Sequence, residues 1–265
     1  MNNINFTTWA NSFSGCDGGN KDASIWVSGI EWGLGKEQKQ TNLEYEEYLE
    51  NYFQRDLPQS IQKGKAEISS IYDWEEQLKY NYGKILAKLY LVIKDKSIES
   101  YKNLTLFKGN EIFKINLYPI AFPNTNDNTY QEFWEKYNLE KTTGFDNNTD
   151  YRYWCFYNRF PIFTEFLKSN KESKLIICTG TDYIFDFCSA FITDKYSIKI
   201  HNEKIKTVTK KGNVIYKKFY WIFDKNNLIV VVPFFTGRNG LNSNEIIIEL
   251  ASRIKNILKG NKIFI

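Results

Sequence analysis

The chain has 265 residues, 42% of them hydrophobic and 25% charged, which is ordinary usage for a globular protein and enough for one large domain. The net charge of +4 is too small to indicate a nucleic-acid partner by itself, and because residues 1–11 are polar and no run is apolar enough to span a bilayer, we expect a cytoplasmic protein with no membrane partner. The four cysteines form no C-x-x-C pair and there is one histidine, which argues against disulfides, a zinc site, a multi-histidine metal centre and Ser-His-Asp chemistry.

The predicted elements begin with a loop rich in Gly, Asp and Asn, and strands and helices then alternate along most of the chain. The first half reads as a loop at 12–23, a strand at 24–28, a glycine turn at 29–35, helices at 41–55 and 71–93, a strand at 112–117 and a loop at 119–123. The second half reads as a helix at 129–138, a turn-rich break at 141–150, a helix at 161–169, a strand at 174–178, a helix at 183–191, short strands within 195–218, a buried strand at 228–232, a loop at 236–244 and a helix at 244–258.

This alternation predicts an α/β fold, in which a mostly parallel central sheet lies between two layers of helices. We expect the three layers to form a single domain over residues 1–265. In such sheets, ligands bind beyond the carboxyl ends of the strands. Functional residues are therefore expected in the loops that follow Ser28, Leu117, Cys178 and Val232.

Glu31 is the first candidate for chemistry, since it follows a predicted strand and lies between Gly29 and Gly33. Glycines let a backbone turn sharply close to a ligand. A carboxylate there can orient or deprotonate water, or stabilise positive charge on a sugar, although a solvated turn carboxylate would show the same pattern. Asn116 lies in an apolar strand, and its amide matches a pyrimidine edge or serves a structural hydrogen bond equally well.

Two further segments combine aromatic residues with arginine. The loop at 233–240 could wedge into a base stack and hold a phosphate, or could be an ordinary strand-to-helix connection. The run at 151–160 could stack on bases, but packing in the core is the favoured interpretation. Residues 195–265 carry 14 Lys and Arg against 4 Asp and Glu, which suits a phosphate-facing surface or a solvated lysine-rich face.

The run of residues 19–33 resembles the G-N-P-D-A, strand, G-x-x-P-G stretch of the uracil-DNA glycosylase superfamily, in its thermophile-type branch. This resemblance implies a uracil-DNA-glycosylase-like fold with Glu31 in the catalytic position. It also implies that Asn116 reads the base, with Trp32 and Ile30 beside it. Trp32 stands where the family has proline.

Residues 230–239 resemble the strand that leads into the family's H-P-S loop, which enters the minor groove. The resemblance implies that Phe235, Thr236, Arg238 and Asn239 face DNA, but the loop has no histidine, since Phe235 or Thr236 stands in its place. The branch holds an iron–sulfur cluster through four cysteines, whose paired spacing is absent, so we expect no cofactor and no metal.

The resemblance thus implies a DNA glycosylase that flips a damaged or modified pyrimidine out of double- or single-stranded DNA and leaves an abasic site, and we expect it to act as a monomer. The replaced proline and the missing histidine suggest an unusual substrate, such as a modified base in phage DNA attacked in antiviral defence, with plain uracil as the other option. Two alternatives stay open. One is a catalytically silent DNA-binding module on the same fold. The other is a small-molecule α/β enzyme, which the absence of a G-x-G-x-x-G or G-x-x-x-x-G-K-[ST] motif disfavours.

Overall fold

The structure is a computed structural model that describes residues 5–35, 44–170, 172–194, 198–208, 212, 214–237 and 240–263. Seven strands form one sheet within these ranges. They are β1 (Gly18–Gly19), β2 (Ile25–Gly29), β3 (Ile112–Asn116), β4 (Leu175–Thr179), β5 (His201–Val208), β6 (Val214–Asp224) and β7 (Asn227–Val232).

The strand order across the sheet is β1-β3-β2-β4-β7-β6-β5. The four central strands β3, β2, β4 and β7 are parallel, whereas β1, β6 and β5 each run antiparallel to their neighbours. The sheet is therefore mixed rather than mostly parallel. The cause at one edge is the two-residue connection between β6 and β7, since a connection that short can only join antiparallel strands.

Eleven α-helices lie in the described residues. They are α1 (Phe6–Ala10), α2 (Tyr45–Asn51), α3 (Leu57–Gln62), α4 (Trp74–Gln77), α5 (Asn81–Ile93), α6 (Asp127–Lys136), α7 (Leu139–Thr143), α8 (Asn148–Trp154), α9 (Phe160–Ser169), α10 (Ile184–Phe191) and α11 (Asn244–Gly260). Two π-helical turns, Tyr52–Asp56 and Cys155–Arg159, join α2 to α3 and α8 to α9, and short 3₁₀ helices cover Ile98–Lys102, Leu104–Leu106 and Thr181–Tyr183.

Helices cover both faces of the sheet, because side chains alternate between two separate apolar clusters along each central strand. Trp26 belongs to the cluster that packs against α1–α3 and α6–α10, on what we call the Trp26 face. Val27 belongs to the cluster that packs against α4, α5 and α11, on the Val27 face. The described residues thus place helices on both faces of one sheet, and the α/β fold class is confirmed.

Within the described ranges, the predicted strands and helices correspond to observed ones within a few residues, with three exceptions. The helix predicted at 71–93 is broken into α4 and α5 around residues 78–80, and the break predicted at 141–150 holds the ends of two short helices, α7 and α8. The basic segment at 195–218 contributes long strands, not short ones. Residues 41–43, at the start of the helix predicted at 41–55, lie outside the described residues. No helix in the described ranges is both long and apolar enough to cross a lipid bilayer.

Candidate functional site

The loops after β2 and β3 run side by side beyond the carboxyl ends of the two strands. Tyr118 N donates to Ile30 O over 2.8 Å, and Phe122 N donates to Trp32 O over 3.2 Å. The backbone on either side of Glu31 is therefore held by the neighbouring loop. Residue 29 must be glycine here, since a Cβ would collide with Asn116 Oδ1, whereas Gly33 has open space around it and no steric reason to be glycine.

The Glu31 side chain is only partly exposed and turns toward the Trp26 face. Tyr130, from α6, donates its hydroxyl hydrogen to Glu31 Oε1 over 3.0 Å. Burial raises the pKa of Glu31 well above its ordinary value of 4.5, while the hydrogen bond from Tyr130 and the charge of Arg152 partly oppose that rise. A carboxyl with a raised pKa is a stronger base than an ordinary glutamate, as expected of a group that moves protons.

Arg152, from α8, lies against three tyrosine rings, with its guanidinium carbon 4.9 Å from the ring centre of Tyr118, 5.7 Å from that of Tyr130 and 5.6 Å from that of Tyr183. It also lies 3.4 Å from Oδ1 of Asp186, which accepts a 2.6 Å hydrogen bond from Tyr118 Oη. These tyrosines, together with Glu31 and Arg152, form a cluster at the carboxyl edge that combines a carboxyl group, a fixed cation and aromatic walls.

Asn116 belongs to a different polar cluster. Its side chain is fully buried, its Oδ1 accepts from Lys114 Nζ over 2.8 Å, and its Nδ2 donates to Gly15 O over 2.6 Å. Lys114 in turn forms a buried ion pair with Asp17 at 2.9 Å. Because Asn116 is in register with Gly29, its side chain points to the Val27 face, opposite to Glu31.

The expectation that Asn116 faces Glu31 across a base is therefore corrected. The N-terminal loop folds over the end of β3, where Gly15 O accepts a hydrogen bond from the Asn116 amide, and the side chain is fully buried, so it is not accessible to a ligand. Arg159 fixes this loop: its guanidinium is fully buried and donates to the carbonyl oxygens of Ala10, Ser12, Ser14, Asn116 and Leu117 over 2.6 to 3.1 Å. No pattern in the sequence predicts that the N-terminal loop covers the end of β3.

The other predicted site residues fall in different environments. Ile30 is 2% exposed and its side chain lies in the core of the Trp26 face, so that side chain is not available to stack on a base, contrary to expectation. Trp32 is 45% exposed and its indole N–H donates to Asp17 Oδ2 over 3.2 Å, which places its ring at the surface next to the Asn116 cluster and not against the Glu31 side chain, contrary to expectation.

Two of the four residues expected to face DNA are described, and of these Thr236 is exposed. Phe235 is fully buried on the Val27 face against Tyr82, with ring centres 4.8 Å apart, so its predicted DNA contact is also corrected. Arg238 and Asn239 lie outside the described residues.

Sequence reasoning missed four members of the cluster around Glu31, namely Tyr118, Tyr130, Tyr183 and Asp186. Two weak signals point to them: Tyr118 follows the carboxyl end of β3, and Tyr183 follows Gly180 after β4. Arg152 lies in the aromatic run at 151–160 that was singled out, although core packing was the favoured interpretation there.

Surface depressions also occur away from this cluster. One is lined by Lys21, Asp22, Phe166 and Asn170, and another by Pro161, Lys168, Thr193 and Lys225. Both lie at the amino ends of the parallel strands, and neither is lined by a buried carboxyl group. Within the described part of the chain, no cluster of His, Cys, Asp and Glu has the makings of a metal site. The Glu31 cluster is thus the strongest candidate for chemistry.

The fold and site define an α/β protein with a carboxyl group held among tyrosines at the carboxyl edge of its central parallel strands. Comparison of the chain with known protein families, with curated proteins and with solved structures finds no match.

Proposed function

We propose that this protein is a DNA glycosylase of uracil-DNA-glycosylase-like fold, in which Glu31 is the catalytic carboxylate. The observation that carries the proposal is the position of Glu31, which follows the central parallel strand β2. Its carboxyl group accepts a hydrogen bond from Tyr130, and burial raises the pKa of this carboxyl group. That is the position which the resemblance of residues 19–33 assigns to the catalytic residue. The structure adds the tyrosines and the cation that surround it.

In the proposed reaction, a base flipped out of the duplex enters the site beside Tyr183, whose ring is half-buried and offers a stacking surface, whereas the rings of Tyr118 and Tyr130 are buried behind it. The bond between C1′ of the sugar and the base nitrogen breaks, and its electron pair leaves with the base. Water attacks C1′ and gives a proton to the Glu31 carboxylate, while the negative charge of that carboxylate stabilises the oxocarbenium-like sugar. The products are a free base, which takes up a proton from solvent, and an abasic site.

Because the Asn116 amide is not available to bind the base, another group near Glu31 must take this role. Arg152 can donate to an oxygen of the leaving base and stabilise the charge that develops there, since its guanidinium is partly exposed and fixed by Asp186. Asn116 instead has a structural role, because its hydrogen bond to Gly15 O links β3 to the N-terminal loop. The substrate is then a damaged or modified pyrimidine, with uracil and a phage-type modified cytosine as the two to compare.

Glu31→Gln tests this proposal. Glutamine keeps the size and can still accept the hydrogen bond from Tyr130, but it can neither take up a proton nor carry charge. We expect base release to fall by about two orders of magnitude or more. The measurement is alkali-sensitive strand cleavage at abasic sites in oligonucleotides that carry uracil, other damaged pyrimidines or modified cytosines.

Glu132→Gln is the matched control, because this exposed carboxyl lies on α6 near Tyr130 without contacting Glu31. It should retain the activity of the wild type. Base release that is equal in wild type and Glu31→Gln would show that Glu31 is not the catalytic group.

A silent DNA-binding module is the second candidate, and the buried network of Asn116 favours it. Both polar groups of that amide are engaged within the chain, so the base reader that the resemblance implies is not free. This candidate predicts that the wild type binds DNA but leaves no abasic site in any of these oligonucleotides.

A further inference from the structure

Strands β5 and β6 continue beyond the rest of the sheet as a two-stranded ribbon. Tyr220 of β6 is in register with Val231 of β7, and β7 ends at Val232, so residues 214–218 lie past the carboxyl ends of the parallel strands. There they pair only with residues 204–208 of β5. At about 3.4 Å per residue, these five residues carry the ribbon about 17 Å beyond the sheet edge where Glu31 lies.

The two faces of the ribbon differ in composition. Ile205 and Phe219 point to the Val27 face and are buried there. Side chains alternate along a strand, so Lys204, Lys206, Tyr216 and Lys218 point to the other side, the Trp26 face, and all four are exposed. Tyr220, on the same side, packs against the Trp26-face cluster and confirms this assignment. The lysine face of the ribbon is therefore on the same side of the sheet as Tyr130 and Glu31.

Repulsion between the lysines on this face lowers the stability of the ribbon. Lys204 and Lys218 are directly opposite each other across the two strands, and like charges in that position destabilise a ribbon. Neither they nor Lys206 forms an ion pair among the described residues. Glu203, the nearest acidic residue in β5, points to the other face, toward Arg253 of α11. The Lys218 ammonium lies 4.5 Å from the centre of the Tyr220 ring, which stabilises its charge in part, but no carboxylate pairs with the three lysines in the described residues. A bound polyanion would neutralise their charge.

We propose that the lysine face of the ribbon (Lys204, Lys206 and Lys218) binds the phosphate backbone of duplex DNA next to the Glu31 site. Three strand spacings, about 14 Å, separate β2 from β6, and the ribbon projects past the same edge. At about 3.4 Å of helix axis per base pair, about four base pairs of a duplex span this separation, so one duplex can contact both the Glu31 site and the ribbon. This inference rests on the proposed function for its choice of DNA, but DNA binding can be measured without base release.

The test compares two triple variants with the same change in net charge. One carries Lys204→Ala, Lys206→Ala and Lys218→Ala. The control carries Lys108→Ala, Lys168→Ala and Lys259→Ala, three exposed lysines at the amino edge, away from the site. Fluorescence anisotropy on a labelled duplex, at several salt concentrations, measures the affinity. We expect the ribbon variant to bind about tenfold or more weakly, with a salt slope shallower by about three, and the control to match the wild type.

Lys218→Glu separates binding from folding, because it places opposite charges across the two strands. We expect its Tm to equal or exceed that of the wild type while its DNA affinity falls. Equal loss of affinity in both triple variants, or stronger binding of the wild type to anionic lipid vesicles than to the duplex, would overturn the ribbon proposal. If only the ribbon variant loses DNA binding and the wild type releases no base, the proposal that the ribbon binds DNA would be supported. The proposal that the protein is a DNA glycosylase would then be wrong.

Discussion

Tyr130 and Arg152 lower the pKa of Glu31, whereas burial raises it. Burial favours the neutral carboxyl, whereas the hydroxyl of Tyr130 at 3.0 Å and the guanidinium of Arg152 favour the carboxylate. Their balance sets the pH at which Glu31 becomes ionised. A site that needs the carboxylate, as the proposed reaction does, should therefore respond to the loss of the Tyr130 hydroxyl through its pH dependence.

Tyr130→Phe should move the rising limb of the pH–activity profile to higher pH. The variant removes a hydrogen bond that lowers the pKa of Glu31, so more alkaline conditions are needed to ionise the carboxyl group. We expect activity near neutral pH to fall by about tenfold and to recover in part as pH rises. Initial rates of base release across the pH range measure this.

Tyr153→Phe is the control, since this exposed tyrosine of α8 contacts Tyr157 and not Glu31. Its profile should overlay that of the wild type. A Tyr130→Phe profile that is lower at every pH without a shift would mean that Tyr130 holds the shape of the site and does not tune Glu31.

The sequence could point to Glu31 but not to its partners. A carboxylate after an apolar strand and a glycine is a local pattern, and it can be read directly. Tyr130, by contrast, lies 99 residues further along the chain, and its approach to Glu31 depends on how α6 packs on the sheet. The same limit explains the error at Asn116: its strand was predicted, but the N-terminal loop that occupies its amide could not be.

At the scale of elements, Arg159 joins the N-terminal loop, β3 and the turn before α9. Its buried guanidinium has no carboxylate partner among the described residues and is satisfied by five backbone carbonyl oxygens. A planar group with five N–H donors suits this arrangement, and an ammonium group with three donors does not. The loop that it holds also carries Asp17, which binds both Lys114 and Trp32.

Arg159→Lys should therefore destabilise the protein by about 3 kcal/mol or more, because carbonyl oxygens are left without donors in the core. Urea unfolding followed by circular dichroism measures the loss. Arg253→Lys, at a half-exposed ion pair on α11, should change the stability by less than about 0.5 kcal/mol. Similar small effects from both substitutions would show that the Arg159 cluster relaxes around the shorter side chain.

Strands and helices could be predicted where their apolar residues recur with a single clear period. The buried strands β2, β4 and β7 and the amphipathic helices α9 and α11 were found because their apolar patterns are local. The ribbon of β5 and β6 was predicted as short strands, because most described side chains in its outer half are exposed and only Ile205 there is buried in the core. The antiparallel edge was missed for a related reason: strand direction follows from the two-residue turn, not from composition.

For the whole molecule, the raised pKa of Glu31 makes stability depend on pH. Well below the ordinary value of 4.5, the carboxyl group is protonated in both folded and unfolded chains and has no effect. As pH rises past 4.5, the unfolded chain ionises first, so folding becomes less favourable until the folded pKa is passed. Stability is therefore lost as pH increases through this window, and it stays lower above it.

Glu31→Gln should reverse this loss, because glutamine remains neutral at every pH. The variant should match the wild type in acid and exceed it at about pH 8, by about 2–4 °C in Tm for each 1 kcal/mol relieved. Differential scanning calorimetry at several pH values measures the difference, and Glu132→Gln should show no such pH-dependent gain. A Glu31→Gln variant that is less stable than the wild type at pH 8 would mean that the folded protein favours the ionised carboxylate. The raised pKa, and with it the assignment of Glu31 as a strong base, would then be wrong.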